Sequence, residues 1–177
     1  RFGYGLAQSA DRVFVGASAR DEGANVDQGV VYVFRNTGGN WTEEARLAPA
    51  DTGAGARFGQ DLAYDGQDLL VGAQRHQPTP TTRGAAYVFR LQGGGWTQVQ
   101  KIVEPGVPGS GTTSFGVELS ADAGRAFIHG YGWNSEYLFS RDASGVWGSP
   151  QRLDEVATFS GTGFLPNAVS DTDLRGN

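Results

Sequence analysis

The sequence predicts an all-β protein built from copies of one four-stranded antiparallel unit. Short apolar runs, each about as long as one strand, alternate with turn residues along the chain. The same order of runs occurs three times, opened by Phe2, Phe58 and Phe115, which lie 56 and 57 positions apart. No ten-residue segment has the apolar spacing of an amphipathic helix.

Composition and charge reduce the number of protein classes to which this sequence can belong. The 177 residues carry a net charge of −5 without a Lys/Arg cluster, so neither nucleic acid nor an anionic membrane is expected as a partner. No apolar run approaches the ~18–20 residues that span a bilayer, and direct membrane insertion is not predicted. The chain has no cysteine, so no disulfide can stabilise the fold.

Each unit is predicted to contain four strands, here called A, B, C and D. In the first unit they cover residues 2–7, 13–17, 30–35 and 41–47. Strand A alternates large and small residues, which favours a crowded position against a neighbouring sheet. Strands B and C are apolar on both faces and must be covered on both. Strand D has one polar face, as outer edge strands do.

The connections between strands indicate how the unit is joined. The A–B and C–D connections are short and rich in turn residues, so both are predicted hairpins. The B–C and D–A connections are longer and polar. Successive turns of a meander lie at alternating ends, which places the B–C and D–A loops at one rim. Long variable loops are where recognition residues are normally found.

Radial stacking of such units predicts a β-propeller. Each unit needs cover on both faces, and its neighbours in sequence are copies of itself. A β-sandwich with accidental internal similarity and a β-solenoid are the alternatives. The solenoid fits less well because its repeats are usually shorter.

The repeated motifs resemble the FG-GAP repeat, the blade of the integrin α-chain propeller and of many bacterial surface and secreted proteins. They are, in the second unit, Phe58-Gly59, Val71-Gly72-Ala73 and Gly84 followed by Tyr87-Val88-Phe89. The first unit matches equally, whereas the third has His129-Gly130 in place of the Gly-Ala pair. The resemblance covers nearly the whole chain and implies the fold more firmly than the ligand.

The period divides one propeller domain into unit 1 (residues 1–57), unit 2 (58–114), unit 3 (115–163) and the start of unit 4 (164–177). Units 1 to 3 are full blades. Unit 4 contains only a first strand at Phe164, with Leu165 where the glycine belongs. FG-GAP propellers usually have seven blades, so further blades from the same polypeptide or from partner chains are expected. The start at Arg1 and the lack of methionine favour a processed or partial chain.

A stack of three units is expected to leave an apolar face bare at each end. Val13 and Val15 should contribute to one of these faces, and Ala126 and Ile128 to the other. Large exposed apolar patches are rare on monomers. The chain alone is therefore not expected to be a stable monomer.

The resemblance implies candidate Ca²⁺ sites in A–B hairpins, where the family often carries alternating carboxylates and a glycine. The hairpins of units 1 to 3 hold too few acids, and no calcium is predicted there. In unit 4, Asp171, Asp173 and Gly176 match the pattern, but Arg175 stands where an oxygen ligand belongs. Asp171 and Asp173 are the candidate metal ligands, and an exposed turn is the alternative.

The B–C loop of unit 1 has a second group of oxygen-bearing side chains. Asp21, Glu22, Asn25 and Asp27 fall within seven residues. They could hold a cation, or they could accept hydrogen bonds from backbone N–H groups of the loop, as Asx-type turns do.

The tryptophans divide into two classes. Three of them recur at the start of strand D and are predicted to be core residues: Trp41, Trp96 and Trp147. Trp133 does not recur. Together with Tyr131 it lies in the shortened B–C loop of unit 3, where the pair could stack on a sugar, anchor a protein contact or pack over the blade edge.

The two histidines are assigned from their local sequence. His129 replaces a glycine beside Tyr131, where it could help to form a pocket or be a tolerated substitution. His76 lies in a polar, proline-containing loop and is expected at the surface.

These features predict a binding or adhesion module that is extracellular, secreted or at the cell surface. It would recognise a protein or a glycan through the B–C and D–A loops; the alternative is a carbohydrate-binding propeller lectin. An enzyme is not predicted, because no catalytic constellation recurs, and the propeller domain of a secreted enzyme is the third hypothesis. The candidate ligand-binding residues are Tyr131, Trp133, His129, Asp21 and Asp27.

Overall fold

The computed structural model describes residues 2–77, 84–105, 114–131, 135–148 and 150–153. Within these ranges the protein is all-β, with twelve strands and no helix, as predicted. The strands form three four-stranded antiparallel sheets, each with its strands in sequence order. The strand predicted at Phe164 lies outside the described residues.

The four strands of each unit follow the order A, B, C and D. The sheet of unit 1 contains β1 (Leu6–Gln8), β2 (Arg12–Ala17), β3 (Val30–Thr37) and β4 (Asn40–Leu47). The sheet of unit 2 contains β5 (Phe58–Tyr64), β6 (Asp68–Ala73), β7 (Ala85–Gln92) and β8 (Gly95–Val103). The sheet of unit 3 contains β9 (Glu118–Asp122), β10 (Arg125–Gly130), β11 (Ser135–Ser140) and β12 (Gln151–Arg152).

Units 1 and 2 share the same internal register. In unit 2, Leu70 of β6 pairs with Ala63 of β5 and with Val88 of β7. The pairing between strands C and D shifts directly after Val33 in unit 1 and directly after Val88 in unit 2. These two valines occupy the same position of the repeat, so even the irregularity of the sheet recurs.

The three sheets stack face to face and bury apolar cores between them. The core between units 1 and 2 includes Phe14, Val31, Val33, Phe58, Leu69, Val71 and Tyr87. The core between units 2 and 3 includes Leu70, Val88, Phe115, Ala126, Ile128, Tyr137 and Trp147. The A strands β1, β5 and β9 contact one another in series, whereas the D strands β4 and β8 barely touch. This fan is the arrangement of consecutive propeller blades.

The face of a unit that meets the preceding unit is called incoming, and the opposite face outgoing. Phe58 and Phe115 lie on the incoming faces of units 2 and 3 and are fully buried, at 0% exposure. Phe2 is 65% exposed, because no sheet covers the incoming face of unit 1 in the described structure. Of the two valines expected to be bare there, Val13 is partly exposed and Val15 is buried.

The prediction for the other end of the stack is wrong. Ala126 and Ile128 are fully buried, because they pack on unit 2 rather than on a bare end face. Their strand neighbours Phe127 and His129 form the outgoing face of unit 3. Glu136, which pairs with His129 in the sheet, is exposed on that face. This outgoing face is therefore more polar than those of units 1 and 2.

The prediction that the recurring tryptophans are core residues holds only in part. Trp147 is 2% exposed, and Trp96 is partly buried with its ring edge-on to Phe14 of unit 1, at a centroid distance of 5.3 Å. Trp41 is 49% exposed, contrary to the prediction. The reason is that each of these tryptophans packs on the preceding unit, and none is described before unit 1.

Two alanine substitutions test this account of the tryptophans. Trp147→Ala should lower the free energy of unfolding by about 3–5 kcal/mol, because it leaves a cavity in the core between units 2 and 3. Trp41→Ala should change it by less than about 0.5 kcal/mol, because its ring is half exposed. Urea denaturation followed by circular dichroism measures both. Equal losses from the two variants would contradict the account.

Candidate functional site

The B–C and D–A loops of unit 1 are hydrogen-bonded to each other at one rim of the molecule. The backbone N–H of Gly55 donates to the carbonyl of Val26 at 2.7 Å, and that of Phe58 donates to the carbonyl of Gln28 at 2.9 Å. The buried side-chain amide of Gln28 donates to the hydroxyl of Thr52 at 2.8 Å. The two loops therefore form one preorganised surface, called here the loop rim.

A cleft of about 390 Å³ opens beside the loop rim, where the A strands of the three units begin. Its lining combines aromatic, carboxamide and carboxylate side chains from all three units: Tyr4, Gln60, Asp61, Gln74, Val117, Glu118 and Tyr131. Three of them occupy the same repeat position, two residues after the opening phenylalanine: Tyr4, Gln60 and Val117. This site is called the inner-strand cleft.

Some polar groups of the inner-strand cleft are not used by the fold. Gln60 is only 8% exposed, yet its side-chain amide has no hydrogen-bond partner among the described residues. The amide is not among the fully buried side-chain atoms that lack a partner, so it reaches the open space of the cleft and is available to a ligand. Oδ2 of Asp61 accepts the backbone N–H of Leu119 at 2.7 Å, which fixes that carboxylate in the wall. Glu118 is exposed at the edge of the cleft.

One residue predicted to bind ligand, Tyr131, lines this cleft, and a second, His129, packs against it. Tyr131 is 56% exposed and forms part of the wall. Its ring packs edge-on against the ring of His129, with centroids 5.4 Å apart. His129 does not line the cleft, so its contribution is to position Tyr131. Trp133, the predicted partner of Tyr131, lies outside the described residues.

The other two predicted ligand residues, Asp21 and Asp27, lie in the B–C loop of unit 1, away from this cleft. Oδ1 of Asp21 accepts the backbone N–H of Asp27 at 2.9 Å, where Asp27 has a positive φ of 53°. The Asp21 carboxylate therefore stabilises the loop backbone, the second of the two interpretations. No three His, Asp or Glu side chains in the described ranges are grouped closely enough to hold a metal ion. Asp171 and Asp173 lie beyond those ranges.

Residues 41–89, which run from β4 into β7, match the family model of the FG-GAP repeat. This stretch is similar to an FG-GAP repeat. The match confirms the resemblance that the motifs indicate. The chain has no significant match among curated proteins. No helix in the described ranges has the length and hydropathy that a bilayer crossing requires.

Two glycines of the FG-GAP pattern allow neighbouring units to approach closely. Gly72, from the Gly-Ala pair of unit 2, faces the carbonyl oxygen of Gly116, from the Phe-Gly pair of unit 3, and a Cβ on Gly72 would overlap that oxygen. Gly16 and Gly59 meet in the same way between units 1 and 2. Gly116 also has a φ of +81°, a left-handed conformation that favours glycine. This backbone conformation explains the glycine better than the predicted face of small residues on strand A does. In unit 3 the Gly-Ala glycine is replaced by His129.

The prediction that His76 lies at the surface is wrong. It is 5% exposed, and its Nε2 lies 2.9 Å from Nζ of Lys101, the single lysine of the chain. Nζ of Lys101 also donates to Asp51 at 2.6 Å, and the hydroxyl of Tyr87 donates to Asp51 at 3.0 Å. The cluster joins the B–C loop of unit 2 to the D–A loop of unit 1. Its members are far apart in sequence, so no local pattern marks it.

The environment of this cluster keeps His76 neutral. Burial, followed by the positive charge of Lys101, lowers the pKa of His76 below its ordinary value. Burial raises the pKa of the Tyr87 hydroxyl, and the charge of Asp51 raises it further. Burial alone would raise the pKa of Asp51, but hydrogen bonds from Lys101 and Tyr87 outweigh it and lower the pKa.

The lowered pKa of His76 predicts a loss of stability in acid. As pH falls below the ordinary histidine value of 6.5, the unfolded chain binds a proton at this position and the folded chain does not. The contribution of neutral His76 to the free energy of unfolding is therefore complete above pH 6.5. It is lost as the pH falls towards the lower pKa of His76 in the folded state. In His76→Gln, which keeps an acceptor for Lys101, Tm should fall less steeply between pH 7 and 5 than in the wild type. His129→Gln is the control, and equal slopes for His76→Gln and wild type would contradict the prediction.

Proposed function

We propose that this protein is a binding or adhesion module that acts outside the cell, either secreted or at the cell surface. The loop rim and the inner-strand cleft are its recognition surface, and the ligand is a protein or a glycan. The FG-GAP repeat at residues 41–89 supports a propeller-like binding scaffold. On such a scaffold the stacked sheets provide rigidity and the loops provide contacts.

The proposal rests on polar and aromatic side chains of the inner-strand cleft that make no contact needed to hold the fold together. The Gln60 amide lacks a partner within the described residues, and Tyr131 exposes half of its surface. Glu118 stands beside them at the same opening. Evolution of a purely structural cleft would not require an aromatic ring, a carboxamide and a carboxylate that converge on one open space.

A glycan is the ligand that this cleft favours, which supports the lectin form of the proposal. Aromatic rings such as Tyr131 and Tyr4 present flat apolar faces to the C–H faces of a sugar ring. Carboxylates and carboxamides accept and donate hydrogen bonds to sugar hydroxyls. The lining contains Asp61 and Glu118 but no lysine or arginine, so neutral or amino sugars fit it and sulfated or sialylated sugars do not.

Catalysis is not part of the proposal. The lining contains two carboxylates, Asp61 and Glu118, and Oδ2 of Asp61 already accepts the backbone N–H of Leu119, so both are assigned to hydrogen bonds with the ligand. The propeller domain of a secreted enzyme would need catalytic groups from elsewhere.

A glycan array with the full chain tests the proposal. Neutral and amino sugars should bind, and sulfated or sialylated sugars should not. Tyr131→Ala should weaken binding about two- to tenfold, because loss of an aromatic stacking contact costs roughly 0.5–1.5 kcal/mol and 1.4 kcal/mol is a factor of ten.

Control variants separate the cleft from the rest of the surface. Leu91→Ala and Glu43→Gln change exposed side chains that do not line the cleft, and both should leave binding unchanged. Glu118→Gln is the matched change inside the cleft and should weaken binding. Sugar binding that is insensitive to Tyr131→Ala and Glu118→Gln, in variants with wild-type Tm, would contradict the assignment of the site.

A further inference from the structure

The inner-strand cleft is lined from three positions of the repeat. Two of them are the second and the third residue after the opening phenylalanine of a unit, and the remaining one directly follows strand B. The lining residues at these positions are, in that order, Tyr4, Gln60 and Val117, then Asp61 and Glu118, then Gln74 and Tyr131. The fold fixes the positions, so the residue types at them determine which ligand chemistry fits.

Units 2 and 3 both have an acidic residue at the third position after the phenylalanine, where unit 1 has Gly5. Oδ2 of Asp61 in unit 2 accepts the backbone N–H of Leu119 in unit 3 at 2.7 Å. Leu119 directly follows Glu118, so this hydrogen bond brings the two carboxylates to the same wall of the cleft. Like charges on one wall repel each other, and a positively charged group of a ligand relieves that repulsion.

The carboxylate of Glu118 is available to a ligand. It forms no hydrogen bond or ion pair with another described residue, and Glu118 is exposed at the opening of the cleft. No lysine or arginine is among the lining residues. Arg75, the neighbour of Gln74, is exposed but does not line the cleft. The negative charge of Glu118 therefore has no partner among the described residues of the cleft.

Two carboxamides provide neutral acceptors in the same space. Gln60 is 8% exposed and Gln74 is partly buried, and both line the cleft. Neither side chain has a hydrogen-bond partner among the described residues. An ammonium group has three N–H donors and no acceptor, so it binds best where several oxygen atoms surround it. One free carboxylate and two carboxamide oxygens match that requirement.

Two tyrosine rings in the lining fit the same ligand. Tyr4 is 55% exposed and Tyr131 is 56% exposed, so both rings are accessible to a ligand in the cleft. An aromatic face attracts a cation, and it also packs against the C–H groups of a sugar ring. A protonated amino sugar has both the cationic group and the C–H faces.

A metal ion fits the cleft less well than an organic cation. Hard cations such as Ca²⁺ need roughly six to eight oxygen ligands. Within the ranges that the structure describes, no three acidic or histidine side chains are close enough to hold a metal ion. The two carboxylates of the cleft are too few for Ca²⁺, whereas one ammonium group needs only one of them.

We propose that the inner-strand cleft selects sugars that carry a free amino group, and that Glu118 determines this preference. The inference rests on the proposed glycan-binding function, and it narrows the ligand class from neutral and amino sugars to amino sugars. The carboxylate of Glu118 binds the ammonium group, and the carbonyl oxygens of Gln60 and Gln74 accept its remaining hydrogens. Tyr131 packs against the sugar ring. An N-acetylated sugar has no charge at this position, so it binds more weakly.

A matched pair of sugars tests the preference. The β-1,4-linked glucosamine tetramer and its fully N-acetylated counterpart differ only in the acetyl groups. Isothermal titration calorimetry with the full chain measures both at neutral pH, where free amino groups are largely protonated. The glucosamine tetramer should bind about three- to fivefold more tightly, which is the contribution of one exposed ion pair. Raising the ionic strength should reduce this ratio, because salt screens exposed charges.

Two variants of strand β9 separate the position of the charge from its sign. Glu118→Gln removes the negative charge from the cleft and should make the affinities for the two tetramers equal. Asp122→Asn removes a negative charge from the exposed far end of the same strand, outside the cleft, and should leave the ratio unchanged. Equal loss of the ratio in both variants would mean that the net charge of −5 attracts the amine, and it would overturn the assignment to Glu118.

Three other results would overturn all or part of this proposal. If the N-acetylated tetramer binds as tightly as the free amine and Tyr131→Ala weakens both, the glycan site stands and the preference for amines is overturned. If neither tetramer binds, the glycan form of the proposed function and the inference that rests on it are both overturned. If tetralysine binds more tightly than the glucosamine tetramer and Glu118→Gln abolishes this, the cleft takes a peptide ammonium group and the choice of a sugar is overturned.

Discussion

The sheets of units 1 and 2 each have two apolar faces, and one sheet alone can cover neither. Burial of those faces between neighbouring units is the constraint on which the rest of the structure depends. Unit 2, which has a neighbour on both sides, fully buries Leu69 on one face and Leu70 on the other. Among the described residues, unit 1 has a neighbour on one side only, and its uncovered face exposes Phe2, Leu6 and Trp41. The same repeat positions thus change from core to surface according to their neighbours.

Specific contacts at both edges of each interface determine how the sheets stack. At the inner edge, glycines such as Gly16 and Gly72 bring the next unit within backbone contact. At the outer edge, Trp96 and Trp147 bind carboxylates that arginines hold in place. Buried ion pairs often add little net stability, and their better-attested role is to select one arrangement among several. The backbones approach closely at the inner edge, and tryptophan–carboxylate hydrogen bonds join the sheets at the outer edge. Together these contacts fit the fan of strands that places residues from three units around the inner-strand cleft.

The sequence was enough to predict the strands, because alternation, turn residues and the repeat period are local signals that recur in register. Sequence cannot predict which neighbour each tryptophan packs on, and for this reason the prediction that Trp41 is a core residue is wrong. The prediction for His76 is wrong for a related reason, since Lys101, which it contacts, and Asp51, which Lys101 binds, come from another strand and another loop. At the candidate site, Tyr131 can be found from the sequence, because units 1 and 2 have no aromatic residue at the corresponding position. Gln60 did not, because a glutamine near a strand start carries no signal until its missing partner is seen in three dimensions.

Amide hydrogen exchange is the most direct test of the claim that neighbouring units, rather than the sheet itself, supply the stability. Strands β2 and β3 of unit 1 are central strands of a four-stranded sheet, as β6 and β7 of unit 2 are. The two pairs have equivalent ladders of hydrogen bonds and differ in whether one or both faces are covered. The account predicts the slowest exchange in β6 and β7 and clearly faster exchange in β2 and β3. Equal protection of the two pairs would contradict it.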